Sequence, residues 1–151
     1  MSNRTAFLDM IAWSEIGSVL LAASDNGYDV LVGGKLFDNG YVDHPRQLVW
    51  LPKLNISSTA AGRYQLLARY FDYYKKLLGL PDFGHDSQDA IAIQQCLESR
   101  ALSVIDSGDF ETAVDRVSHI WASLPGALYG QHTNKIADLQ AAYVAAGGVV
   151  A

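Results

Sequence analysis

The sequence NRTAFLDMIAWSE, residues 3–15, begins this chain with a helical pattern that ends in an acidic side chain. Phe7 and Ile11 lie on one face of the predicted helix, and Glu15 extends that apolar face by one more turn. A carboxyl group in this position is expected to be partly desolvated, which raises its pKa and favours the acid form near neutral pH. The alternative is a helix-terminal glutamate that turns outward to water.

Helical spacing of apolar residues returns in the second half of the chain. It predicts helices over residues 60–78, 88–98 with a shorter stretch to 105, 110–121, and from 133 or 134, the last with Ile136, Leu139, Tyr143 and Val144 facing inward. Ser2 or Asn3 is the expected cap of the helix that ends at residue 15. Ser58 or Thr59 is the expected cap of the helix over residues 60–78, which Gly79 ends, and Asp109 that of the helix over 110–121. The segment 16–26 has no clear pattern.

A β-strand pattern lies between the first predicted helix and the helix over residues 60–78. Residues 28–32 predict a β-strand, Gly33 and Gly34 a two-residue turn, and residues 35–37 a second strand, with another turn at 38–41. Residues 46–56 have an irregular pattern that contains Pro52, and they predict a loop that exposes Trp50. The expected fold class is therefore α+β, mostly helical with a small antiparallel sheet of up to three strands near the N-terminus, in a single domain over residues 1–151.

Composition excludes several functional classes. The 151 residues are 50% hydrophobic and carry a formal charge of −5, with no cluster of Lys and Arg of the kind that binds nucleic acid. The longest apolar run, residues 16–23, is too short to span a bilayer, and no secretion signal is recognisable. A single cysteine, Cys96, and four histidines without paired spacing predict neither a disulfide nor a metal site.

Two further segments combine small residues with polar or aromatic ones. Residues 57–67, with the sequence SSTAAGRYQLL, could let a ligand approach a helix start closely, or could be an ordinary helix N-terminus. Residues 121–131, with the sequence WASLPGALYGQ, could form a mobile lip over a cleft, or a plain connection between helices. Spacing alone does not decide between these alternatives.

Taken together, these segments resemble one family in order and spacing over most of the chain. The matching stretches are residues 6–15 (AFLDMIAWSE), 26–34 (NGYDVLVGG), 43–46 (DHPR), 61–67 (AGRYQLL) and 120–131. In these stretches the chain resembles the lambda-type phage endolysins, which are peptidoglycan lytic transglycosylases with a lysozyme-like fold. The resemblance implies a substrate cleft between the helices and the sheet, and cleavage of the bond between N-acetylmuramic acid and N-acetylglucosamine to leave 1,6-anhydro ends.

The resemblance also implies a role for particular residues. Glu15 falls on the family's catalytic glutamate, which donates a proton to the leaving oxygen and later accepts one from the muramic 6-hydroxyl group. Six residues are implied in substrate binding, on the segment after residue 60 and on two lips at residues 47–56 and 125–131: Arg63, Tyr64, Gln65, Tyr129, Gln131 and Trp50. Asp25, Asp29 and Asp43 are the candidates for a second carboxyl group if one is needed.

The implied partner is the peptidoglycan glycan strand, with no cofactor, no metal, no nucleic acid and no stable membrane insertion. A monomer is expected, made in the host cytoplasm and released to the wall by a holin-type protein. The sequence departs from the family pattern directly after Glu15, where Ile16 begins an unusually apolar stretch to Ser24. Two alternatives remain open: a hydrolytic lysozyme, or a non-catalytic glycan-binding structural protein on the same scaffold.

Overall fold

The computed structural model describes residues 2–126 and 133–151. Within these residues the elements are α1 (Asn3–Ile16), α2 (Ser18–Ala22), β1 (Val49–Leu51), β2 (Ile56–Ser58), α3 (Ala68–Leu78), α4 (His85–Glu98), α5 (Leu102–Asp106), α6 (Phe110–Val117) and α7 (Ile136–Ala145). The protein is thus mostly helical with a small antiparallel sheet, as the sequence predicts. The chain divides into two compact units, residues 1–15 with 92–151 and residues 16–91. No helix of the described residues is long and apolar enough to cross a membrane.

The first unit is built around the apolar face of α1. Ser2 caps this helix, since its Oγ accepts a hydrogen bond from the backbone N–H of Thr5 at 3.2 Å. Phe7 packs edge-on against Phe110 of α6 and Tyr143 of α7, with ring centroids 6.3 and 6.4 Å apart. All three rings are buried, and burying each side chain stabilises the fold by roughly 1.5–3 kcal/mol.

The second unit has its own apolar cluster. Its buried members are Leu31, Ala61, Leu66, Phe71, Tyr74, Phe83 and Ile91. His44 is buried beside two of them, with its ring centroid 5.9 Å from that of Phe71 and 4.9 Å from that of Phe83. A buried imidazole needs hydrogen-bond partners, and both nitrogens have one: Nε2 lies 2.8 Å from the Leu66 carbonyl oxygen, and Nδ1 accepts from the Arg46 backbone N–H at 2.9 Å.

The position of the strands differs from the sequence prediction. Residues 28–32 and 35–37 form no continuous ladder, and only one antiparallel bridge joins Val30 to Leu36. The physical reason is that this segment divides its backbone hydrogen bonds between two neighbours. The N–H of Leu31 donates to the Lys35 carbonyl oxygen at 2.7 Å, whereas the Val30 carbonyl oxygen accepts from the N–H of Gly62 at 2.8 Å.

The sheet instead lies where a loop was predicted. Strands β1 and β2 pair antiparallel, with Trp50 opposite Ser57, inside the segment 46–58. Pro52 had argued against strands here, but it lies in the connection between them, where a missing N–H breaks no ladder bond. Asn55 completes this turn with a left-handed backbone, φ 52°, which asparagine tolerates better than most residues. The exposure of Trp50 is confirmed, at 56%.

The predicted helix over residues 60–78 begins eight residues late, at Ala68. Gly62 and Gln65 have φ values of 84° and 53°, which a right-handed helix cannot contain. Ala61 also pairs with Leu66 across the turn between them. The predicted cap at Ser58 or Thr59 is also wrong, because the residue that precedes α3 is Leu67, which makes no side-chain capping bond; Thr59 Oγ1 accepts a hydrogen bond from the N–H of Ala68 at 3.0 Å but lies nine residues before it. Gly79 ends α3 in the left-handed conformation, as predicted.

The last helix also starts later than predicted, at Ile136 instead of residue 133 or 134. Leu139 and Tyr143 are buried as expected, but the inward orientation predicted for Val144 is wrong, since that side chain is 50% exposed. Residue 144 directly follows the buried Tyr143, and the 100° step of a helix turns it away from the core. The apolar stretch after Glu15 contains the short helix α2, which has no buried residue.

Candidate active site

Glu15 lies in the last turn of α1, directly after the buried face that holds this helix in the first unit. Its side chain is neither fully buried nor fully exposed. Protein atoms nevertheless surround the carboxyl group closely, and burial is the main cause of a pKa raised above the usual value of a glutamate. The desolvated carboxyl group of raised pKa that was predicted at the end of the apolar stripe is therefore present, in a residue that is partly exposed.

Ser123 contacts this carboxyl group. Its hydroxyl group donates a short hydrogen bond to Glu15 Oε2, and its hydroxyl and backbone bonds oppose the effect of burial by lowering the pKa. Ser14 and Asn134 continue the contact: the two serine Oγ atoms are 2.7 Å apart, and Asn134 Nδ2 lies 2.9 Å from Ser14 Oγ. Glu15 thus lies at one end of a chain of hydrogen-bonded polar side chains.

The predicted substrate-binding residues Arg63 and Tyr64 are both buried in the second unit. Arg63 Nε donates to the Asn26 carbonyl oxygen at 3.0 Å, and Nη1 donates to the Tyr64 hydroxyl oxygen at 3.0 Å. The Tyr64 hydroxyl group donates in turn to Asp89 Oδ1 at 2.6 Å. These bonds stabilise the turn at residues 61–65, and a contact of either side chain with sugar stays a prediction.

Gln65 and Trp50 are the more accessible residues of this set. Gln65 is half-buried, and its Nε2 donates to the Gly62 carbonyl oxygen at 2.8 Å, which supports its left-handed backbone. Trp50 presents most of its indole on β1. The two remaining predicted residues, Tyr129 and Gln131, lie outside the described residues.

The alternative carboxyl groups all make contacts within the second unit. Asp25 Oδ2 accepts hydrogen bonds from Tyr41 at 2.6 Å and from His85 Nε2 at 2.7 Å, and these two bonds lower its pKa. Asp43 forms an ion pair with Arg46 at 2.8 Å, which likewise lowers the Asp43 pKa. A carboxyl group of lowered pKa is ionised near neutral pH and has no proton to donate, so neither group has the property that Glu15 has.

No cluster of three or more His, Cys, Asp or Glu side chains in the described part of the chain could hold a metal ion. The polar chain of Ser14, Ser123 and Asn134 was not anticipated from the sequence. Its members lie 109 and 120 positions apart along the chain, in bonds that only folding creates. The sequence offered only one indication of this contact: Ser14 and Ser123 both lie in segments that match the family pattern.

The fold and the half-buried acid on α1 define a lysozyme-like protein, and comparisons with known proteins agree. The family model described as endolysin matches residues 5–150. The endolysin of Escherichia phage lambda is 56% identical over 151 residues, covering 99% of this chain and 94% of the relative. The endolysin of Escherichia phage P2 is 42% identical over 158 residues, covering 99% and 95%.

A solved structure of bacteriophage lambda lysozyme complexed with a chitohexasaccharide superimposes with a TM-score of 0.93 at 54% identity, covering 99% of this chain and 96% of that one. A second structure of lysozyme from bacteriophage lambda gives a TM-score of 0.88, also at 54% identity. The chain belongs to the endolysin family. This membership places it among the lysozyme-like phage enzymes that act on peptidoglycan.

Proposed function

We propose that this endolysin cleaves the bond between N-acetylmuramic acid and N-acetylglucosamine by lytic transglycosylation, with Glu15 as the catalytic residue, in a single catalytic domain over residues 1–151. The observation that carries the proposal is Glu15 at the end of α1, a partly exposed residue whose carboxyl pKa is raised by burial. A carboxylic acid that keeps its proton near neutral pH can donate it to a leaving oxygen. The complex of the lambda relative with a chitohexasaccharide supports an aminosugar substrate.

The reaction needs only one carboxyl group. Glu15 donates its proton to the glycosidic oxygen, the bond from C1 to that oxygen breaks, and C1 passes through an oxocarbenium-like state. The carboxylate of Glu15 then accepts the proton of the muramic 6-hydroxyl group while O6 bonds to C1. The proton lost in the first step returns in the second, and the product is a 1,6-anhydro ring.

This reaction differs from two-carboxyl hydrolysis, in which a second carboxyl group lies about 5–9.5 Å from the acid. The substrate-binding residues we propose are Trp50, Arg63, Tyr64, Gln65, Tyr129 and Gln131.

Mass spectrometry of the fragments released from purified peptidoglycan tests the reaction type. Transglycosylation leaves muramic ends that are lighter by one water than the reducing ends of hydrolysis. Glu15→Gln keeps the shape of the side chain but removes the acid, and we expect it to abolish release. Glu111→Gln, an exposed glutamate of α6, is the matched control and should release fragments at the parental rate. Parental activity of Glu15→Gln would overturn the catalytic assignment, whereas reducing ends would replace transglycosylation by hydrolysis.

We also propose that the protein acts as a monomer and reaches the wall through a membrane lesion made by a separately encoded, holin-type protein. Family membership supports this route. Cells that produce the protein alone should keep their turbidity and then lyse when chloroform permeabilises the membrane. Lysis without permeabilisation would show that no such partner is needed, and sedimentation velocity would detect a dimer.

A further inference from the structure

A chain of three hydrogen bonds ends on the carboxyl group of Glu15. Asn134 Nδ2 lies 2.9 Å from Ser14 Oγ, and Ser14 Oγ lies 2.7 Å from Ser123 Oγ. The Ser123 hydroxyl group donates to Glu15 Oε2. These residues come from α1, from the segment that follows α6, and from the residues before α7, so the chain joins three separate parts of one unit.

The direction of the donors is determined by one backbone group. Asn134 Nδ2 also lies 3.3 Å from the Ser14 carbonyl oxygen, and a carbonyl oxygen can only accept. The amide atom facing Ser14 is therefore the NH₂ group, and it donates to Ser14 Oγ as well. Because the Ser123 proton is used on Glu15, the bond between the two serines is donated by Ser14. All three bonds thus point toward the carboxyl group.

This direction makes the two oxygens of Glu15 different. Oε2 accepts from Ser123 whether Glu15 is ionised or protonated on its other oxygen. A proton on Oε2 would require Ser123 to turn its hydroxyl away and Ser14 to give up the donor role that Asn134 imposes on it. The proton of the acid form is therefore placed on Oε1, the oxygen that the Ser123 hydroxyl group does not bond.

We propose that Ser123, oriented by Ser14 and Asn134, is a positioning residue that keeps Oε2 of Glu15 as an acceptor and leaves Oε1 to give and take the proton. The inference rests on the proposed function, since it assigns the two proton transfers of that reaction to one oxygen. It applies to both steps, because the same oxygen that protonates the glycosidic bond receives the proton of the 6-hydroxyl group.

The side chains of Ser14, Ser123 and Asn134 are not needed to join the segments that carry Ser123 and Asn134. The N–H of Asn134 donates to the Ser123 carbonyl oxygen at 2.8 Å, and this backbone bond involves neither side chain. Side-chain variants at these positions therefore remove the donors to Glu15 while the two segments stay joined. This separation makes an effect on Glu15 measurable apart from an effect on folding.

Ser123→Ala is the central test. Loss of a hydrogen bond to a charged group should raise the Glu15 pKa by about one to two pH units, because that bond favours the ionised form. The alkaline limb of the lysis rate should move upward by the same amount, and the maximal rate should fall about tenfold or more. Ser123→Thr retains the hydroxyl group and should restore the parental limb. Ser107→Ala, an exposed serine of the same unit, is the control.

The Glu15 pKa is measured by carbon NMR of glutamate labelled at the carboxyl group, with Glu15→Gln assigning the signal. Asn134→Ala and Ser14→Ala should raise the pKa in the same direction by a smaller amount, since they act through Ser123. These two variants test the proposal if Ser123→Ala fails to fold. An unmoved pKa and parental rate in these variants overturn the positioning role alone. An active Glu15→Gln overturns the proposed function instead, so the two failures are distinguishable.

Discussion

Replacing Gly62 by alanine should destabilise the second unit more than a change of one methyl group normally does. Gly62 has a φ of 84°, and a Cβ atom built there would lie 2.9 Å from Phe83 Cζ and 2.9 Å from Gln88 Cδ, with Gln88 Oε1 closer still. Real Cβ atoms do not approach neighbours this closely, so Gln88 or the turn has to move.

Gln88 cannot move without losing buried hydrogen bonds. Its Oε1 accepts from the N–H of Arg63 at 2.9 Å, and its Nε2 donates to the carbonyl oxygens of Tyr28 at 3.1 Å and Phe83 at 2.9 Å. The left-handed backbone costs alanine about 1–2 kcal/mol. Overpacking adds about 1–3 kcal/mol, and one broken buried bond about 1 kcal/mol. We expect Gly62→Ala to lower the free energy of unfolding by about 3–6 kcal/mol.

Gly79→Ala is the matched control. Gly79 has a similar left-handed backbone, with φ 64° and ψ 39°, but no atom lies within 4 Å of the position its Cβ would occupy. The control therefore measures backbone strain without crowding and should lose only about 1–2 kcal/mol.

Urea unfolding followed by tryptophan fluorescence measures both variants. With a slope of about 2 kcal/mol per molar urea, Gly62→Ala should lower the midpoint by about 2 M and Gly79→Ala by less than about 1 M. Equal losses for the two variants would refute the reasoning, because they would show that the packing of Gln88 against Gly62 contributes nothing.

Three further outcomes follow from single residues. Burial lowers the pKa of His44 below its usual 6.5, so the unfolded chain binds a proton more readily than the folded protein. Stability should therefore fall as the pH drops from about 6.5 toward the folded pKa, and His44→Gln should flatten the dependence of the urea midpoint on pH. Burial raises the pKa of Cys96 to about 12, so its thiol should react with Ellman's reagent at pH 8 only after unfolding. Trp50→Ala should change stability by less than about 0.5 kcal/mol while weakening affinity for a chitohexaose probe.

Each of these outcomes can fail in a specific way. An unchanged pH dependence in His44→Gln would assign the acid sensitivity to other groups. Rapid labelling of native Cys96 would show that the thiol is reached from solvent. A large loss of stability in Trp50→Ala with parental affinity would make the indole part of the packing, despite its exposure, and not a sugar contact.

The helices were predictable because their apolar spacing is local. The pattern of residues 3–15 gave α1, its cap at Ser2 and the acid at its end, and Gly79 marked the end of α3. Strand pairing was less predictable, since residues 28–32 have a strong β pattern but divide their bonds between two neighbours. Pro52 misled the prediction for the sheet because only the fold shows which side of a strand boundary it occupies.

The candidate site was likewise predictable only in part. Glu15 was a candidate from its own segment, because an acid that ends an apolar helical face can be partly desolvated, but only the family resemblance selected it over a glutamate that turns outward to water. Its partner Ser123 and the direction of the donors from Asn134 required the folded chain, since a hydrogen bond across more than a hundred residues leaves no periodic trace in the sequence. Local pattern and family resemblance indicate the acid, and long-range packing determines which of its oxygens accepts the hydrogen bond from Ser123.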